Sequence, residues 1–345
     1  MRRLSPVLAF SFLFCLTLAA SAAPGDMIYT RPGQLVRASD GLRLNLYCIG
    51  HGSPAVIFDA GHQDWSPAWA VVQPEIAKLT RACTYDRRGA GFSDAGPLPR
   101  TSTRIVDELH SALTNAGVGR PYILVGHAFG GINTRAFAYR FMPEVAGLVL
   151  VDTDTGDVDP PDKLEREHKI FAQQGAELRA CRDAISAGRP LRDVPPPTLQ
   201  GVPCEQRFFR GFPERAWSPD LNNALLRMVQ TSPALYQEVV SELEEMPGDE
   251  VWLKQHQQSL GNRPIRVLTA ASSHTDDENT PTDVHLRHLQ NQYERALSQA
   301  RFLELSSNAK QIFAYHSGSA YIQLDQPALV IGAIREVWEQ SGGGR

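Results

Sequence analysis

The sequence lacks the C-x-x-C and H-E-x-x-H spacings that gather thiolates or imidazoles around a metal ion. Neither a metal site nor a cofactor is expected. Charge of one sign is also lacking. With 34 Lys and Arg against 38 Asp and Glu, the formal charge is only −4, which gives nucleic acid no basic face to bind. No internal repeat occurs, and no low-complexity segment beyond the C-terminal SGGGR. The longest apolar run, PVLAFSFLFCLTLAA, is about 15 residues where a spanning helix needs roughly 20. What remains is a chain of 345 residues, 42% of them hydrophobic, enough for one large α/β domain or two ordinary ones.

That apolar run follows Arg2 and Arg3 and ends in the small residues Ala20, Ser21 and Ala22, the layout of a secretory signal over residues 1–22. Cleavage is expected after Ala22, which removes Cys15 and leaves no stable membrane insertion. A lipid-modified cysteine is disfavoured because Phe14 stands where a small residue is needed. The mature protein is expected to be secreted or periplasmic.

Export leaves Cys48, Cys83, Cys181 and Cys204, an even set in a compartment that permits disulfides. Four cysteines allow three pairings. Cys48 with Cys83 and Cys181 with Cys204 are favoured, because the first two lie on predicted strands and the second two close a proline-rich loop. Each bridge would stabilise by roughly 3–4 kcal/mol through loop entropy.

Strand and helix signals alternate along the chain. LRLNLYCIG and AVIFDAG read as strands joined by HGSP, suggesting a hairpin-like start. A helix near Pro74, a buried strand ACTYDR and the amphipathic helix TRIVDELHSALTNAG follow. Next come the strand at 122–125, a helix from Phe129 to Phe141, and GLVLVD ending at Asp152. Strand, helix, strand in succession calls for a mostly parallel sheet flanked by helices. Residues 157–262 break the pattern and read as a helical cap insertion, with helices at LNNALLRMVQ and ALYQEVVSELEEM. Leu225, Leu226, Met228 and Tyr236 could line a pocket there, although their helical spacing suits a core better. The sheet pattern resumes over 263–340 with IRVLTA, a helix over 283–303, QIFA and a last helix PALVIGAIREVWEQ.

This order, together with YDRRGAGFSD, LVGHAFGG, GLVLVD and YIQLDQPALVIGAI, resembles the α/β-hydrolase family, in particular its small ester and lactone hydrolases and haloperoxidase-like proteins. The resemblance covers nearly all the mature chain except the insertion, which corresponds to the family's variable cap. It implies the α/β-hydrolase fold, with core segments 23–156 and 263–340 around the cap. It also implies that LVGHAFGG is the turn presenting the nucleophile, where the family's Gly-x-Ser-x-Gly has serine and this chain has Ala128. The family's histidine follows the last strand, and the matching position is Ala320; His316, four residues upstream, is the alternative base. The acid falls at Asp152, with Asp276 as the alternative. The oxyanion amides fall at His62 and Phe129. His127 is expected to pack, and His51, His110 and His274 to be ordinary surface or loop residues.

A methyl group can neither lose a proton nor attack a carbonyl. Losing the nucleophile or the histidine of such a relay costs about 10⁶ in turnover, and losing both costs little more. The sequence therefore suggests a catalytically inactive member that binds a small acyl or aromatic ligand, or a protein partner. The alternative is an esterase or lactonase present in disabled form or working through displaced residues such as His316. Lyase or oxygenase chemistry without a covalent serine stands behind both.

Overall fold

The computed structural model describes residues 25–194, 202–209, 216–271, 280–317 and 321–344. Residues 1–22, expected to be a leader, and Asp276, His274 and Ala320 lie outside the described residues. The first core segment runs β1 (Gln34–Arg37), β2 (Arg43–Ile49), β3 (Ala55–Asp59), the single turn α1 (Gln73–Ile76) and β4 (Ala82–Asp86). It continues with α2 (Ser102–Asn115), β5 (Tyr122–His127), α3 (Phe129–Arg140) and β6 (Val145–Val151). Then come α4 (Pro161–Ser186), α5 (Pro219–Thr231) and α6 (Pro233–His256). The chain returns to the sheet with β7 (Ile265–Ala270), α7 (Thr282–Ala300), β8 (Ala309–Ala314), the short α8 (Ile322–Asp325) and α9 (Pro327–Gln340).

The eight strands form one sheet in the order β1-β2-β4-β3-β5-β6-β7-β8. From β4 to β8 every pairing is parallel, while β1 and β2 run antiparallel at one edge. The central strands β3, β4 and β5 are buried at every residue, as strands covered by helices on both faces must be. Core residues fall into two clusters, one for each face of the sheet: Val56 and Phe58 belong to one, Ala55 and Ile57 to the other, as the two-residue period of a strand requires.

The expected hairpin between β2 and β3 does not form, because β4 lies between them and pairs with both. The HGSP linker is compatible with a tight turn, but the parallel pairing of β3 with β4 and β5 carries the chain past its sequence neighbour. Cys48 is bonded to Cys83, its register partner on β4, and Cys181 to Cys204. These are the two favoured pairings.

Within residues 157–262, α4 was not legible as a helix. It is 26 residues long, yet it buries only Gly175, Leu178, Cys181 and Ala184, so no apolar stripe runs along its first half. Helix α6 continues for 24 residues with Pro247 inside it. Its second half docks Met246 and Leu253 into the core cluster that holds Leu109 of α2 and Ile132 of α3. No helix among the described residues is long and apolar enough to cross a membrane.

Candidate functional site

The site begins at the junction of β5 and α3. Gly126 and Gly130 are compulsory there: a Cβ on Gly126 would sit 2.3 Å from the carbonyl oxygen of Gly130, and one on Gly130 would sit 2.3 Å from that of Asp59. Between them Ala128 adopts φ +47° and ψ −119°, a region that a residue with a Cβ occupies only under strain. The surroundings enforce it. The Ala128 amide donates to Val151 at 3.2 Å, and its carbonyl accepts from Gly131 at 2.9 Å, from the Thr153 hydroxyl at 3.1 Å and from the Asp154 amide at 3.3 Å. The turn is thus clamped to the loop after β6.

Two backbone donors meet this turn. Phe129 opens α3, and His62 follows β3 on a loop that approaches the elbow: a Cβ on Gly61 would lie 3.3 Å from that of Ala128. Neither amide donates to any described acceptor. Their side chains stack face to face, with centroids 4.1 Å apart. Beneath the loop, buried Arg87 donates to the carbonyls of Ala60 at 2.8 Å and Gly61 at 2.6 Å, to Asp59 at 3.0 Å and to Glu242 of α6 at 2.5 Å. Glu242 also meets the His62 Nδ1 at 3.0 Å. Burial alone would raise the Glu242 carboxyl, yet Arg87 and His62 hold it below its ordinary value. Burial raises Asp59 to about 6 despite Arg87 and the Tyr85 hydroxyl.

Asp152, the favoured acid, is buried at the end of β6 with φ +43°. Its carboxylate is committed to α7 and β7: Arg295 donates at 2.6 Å, Gln299 at 3.1 Å and the Ala270 amide at 3.3 Å. His316 is exposed just beyond β8 and does not line the cleft at Ala128. His127 is buried, with its ring 4.8 Å from that of Tyr321 and its Nδ1 3.8 Å from Asp64. His110 stacks on Phe141, and His51 is exposed.

Above Ala128 opens a cleft of about 510 Å³, within the usual range for small-molecule sites. The loop after β6 supplies Asp152 to Thr155, α4 supplies Lys163, Arg166, Glu167, Ile170 and Phe171, and α7 supplies Asn291, Glu294 and Arg295. Leu225 and Tyr236 are instead buried in the core, and neither they nor Leu226 or Met228 reach this cleft. The lining on α4 was missed because that helix gave no periodic signal. Asp154 of VDTDTGD is visible in the sequence, but unlike Asp152 it has no motif to assign it. Glu167 is raised to about 7, chiefly by burial, with Lys163 opposing. Among the described residues no group of three or more His, Cys, Asp or Glu is placed to hold a metal ion.

Comparison with known proteins agrees with this architecture. A family model described as "Alpha/beta hydrolase family" matches residues 47–333. The Bacillus subtilis protein YqjL is 31% identical over 123 residues, 34% of this chain and 49% of that protein. An AB hydrolase superfamily protein of Gibberella zeae is 28% identical over 139 residues, 39% of this chain and 41% of that one. The matches therefore span less than half the length of these relatives. Among solved structures, a putative epoxide hydrolase from Pseudomonas aeruginosa aligns with TM-score 0.63 at 16% identity, covering 93% of this chain and 98% of that one. A thermophilic esterase from Thermogutta terrifontis aligns with TM-score 0.56 at 19% identity, covering 89% and 98%. At such identities these likenesses concern the fold.

Proposed function

The chain belongs to the alpha/beta hydrolase family, and from that premise we propose that it is an exported, non-catalytic member that binds a small molecule in the cleft above Ala128. One observation carries this reading. The turn that would present a nucleophile keeps its strained geometry, beside two amides without a described acceptor, but it delivers a methyl group into a cleft of about 510 Å³. Retaining a conformation that costs on the order of 1–3 kcal/mol is consistent with a use for the pocket. Donors aimed at an oxygen bind it whether or not a covalent bond follows.

The other hydroxyls at the cleft floor are occupied. Thr153 donates to the Ala128 carbonyl, and Thr155 to Asp159 at 2.7 Å. The carboxylate of Asp152 is held by Arg295 rather than by an imidazole. Ala320, at the position matching the family's histidine, completes the reading from sequence. Export follows from the leader pattern, and the two disulfides suit an oxidising compartment.

The test is a panel of short p-nitrophenyl esters and of the matching free acids and amides. The binding reading expects hydrolysis at the rate of buffer alone and a rise in melting temperature with at least one non-hydrolysable compound. Enzyme-dependent turnover by the unmodified chain would overturn it in favour of a hydrolase working through displaced residues.

A further inference from the structure

The cationic side chains of the cleft are already paired. Arg295 bonds Asp152 at 2.6 Å. Lys163 bonds Asp159 at 2.8 Å and approaches Glu167 at 3.6 Å. Arg166 bonds Asp162 at 2.9 Å and lies 3.7 Å from Glu294. An anion entering here would have to compete with a carboxylate for each of them.

Asp154 differs from the other acids of the lining. Its backbone is used, with the amide on Ala128 and the carbonyl accepting from Arg135 at 3.2 Å. Its carboxylate takes no hydrogen bond or ion pair from any described residue, although it lines the cleft beside Ala128. Burial pushes this carboxyl up, against the pull of His62 and Arg295. A second polar group near the elbow is also unmet: Nε2 of His62 is buried without a partner among the described residues. Because Nδ1 of His62 faces the Glu242 carboxylate, which only accepts, that ring nitrogen carries a proton and points away from the elbow.

Resting on the binding role proposed above, we infer that the cleft takes a ligand carrying a cationic nitrogen next to a carbonyl or carboxylate oxygen, the nitrogen at Asp154 and the oxygen at the amides of Phe129 and His62. An amino acid, its amide or a short amine-bearing acyl compound has this pairing. A cation at Asp154 completes the one carboxylate of the described cleft lining without a partner and breaks no existing ion pair. An apolar body on the same ligand would lie against Ile170 and Phe171 of α4.

The experiment is isothermal titration near neutral pH with phenylalaninamide, which has an ammonium group beside its carbonyl, and with 3-phenylpropanamide, which lacks the nitrogen cation. Phenylalaninamide is expected to bind at least about tenfold more tightly, the size of one charge-assisted contact. Asp154→Asn, nearly equal in shape, is expected to bring the two compounds to parity, whereas Glu339→Gln, at an exposed position of α9 outside the cleft, should leave the preference in place. Equal affinities for the unmodified chain, failure of both compounds to bind, or a preference that survives Asp154→Asn would overturn the inference. If 3-phenylpropanamide binds as well as phenylalaninamide, the cation site is wrong while the binding role stands. Ester turnover by the unmodified chain would instead remove the role on which the inference rests.

Discussion

The imidazole of His62 lies flat against the ring of Phe129, their planes 17° from parallel. In the proposed binding role these two residues supply the amides that receive the ligand's oxygen, and the stack links them. Glu242 and Arg87 then tie that pair to α6 and to the loop after β3. His62→Ala is expected to cost about 1–3 kcal/mol in chemical denaturation, from lost stacking and a lost hydrogen bond to a charged acceptor. His62→Phe, which can still stack, should cost less. Equal stability of the two variants would mean that the stack contributes nothing.

Ala128→Gly is expected to leave the protein equally stable or stabilise it by about 1 kcal/mol. Glycine elsewhere in a folded chain usually costs roughly 0.5–1 kcal/mol relative to alanine. Here φ +47° with ψ −119° charges the methyl-bearing residue more than that. A denaturation midpoint well below that of the unmodified chain would show that the turn is relaxed with alanine in place.

Stability should fall as pH rises from about 5 to about 8. Burial raises Asp249 to about 7 and Glu250 to about 7, and raises Glu238 to about 8 against Arg100. In each case the folded state holds the proton more tightly than the unfolded chain. Their contribution is fully present below the ordinary carboxylate range and is lost as pH climbs through these raised values. Asp94 and Glu336, lowered to about 2 by hydrogen bonds from Arg43 and Arg266, act the other way and lose their contribution only as pH falls toward 2. Asp249→Asn can still accept from Ser102, and it should flatten the decline between pH 5 and 8. A melting temperature that rises over that interval would contradict the assignment.

Replacing Cys181 and Cys204 together by serine is expected to cost about 3–4 kcal/mol, the loop-entropy value for a bridge across a separation of 23 residues. The bridge joins the far end of α4 to the segment before α5, so loss of cap order should precede loss of the sheet. Hydrogen exchange that rises first in residues 161–186 would agree with this. A uniform rise across β3, β5 and β6 would not.

The elbow was legible because its glycines answer a local steric demand that shows directly in LVGHAFGG. The order of strands and helices was legible for a similar reason, since buried parallel strands are short apolar runs between amphipathic helices. The pairing of β2 with β4 was not, because it depends on contacts distant in sequence. Nor was the wall of the cleft on α4, where Phe171 faces the site from a helix with no apolar stripe over its first half. Asp152 was visible as an acid after GLVLV, but its bond to Arg295 required knowing that α7 lies across the end of β6.

The central claim is that the mounting of a nucleophile survives without the chemistry. Intact-mass measurement after incubation with a fluorophosphonate probe tests it most directly, with the Ala128→Ser, Ala320→His double variant run beside the unmodified chain. The expected result is no adduct on the unmodified protein and a single adduct at position 128 of the double variant. A stoichiometric adduct on a serine of the unmodified protein would contradict it.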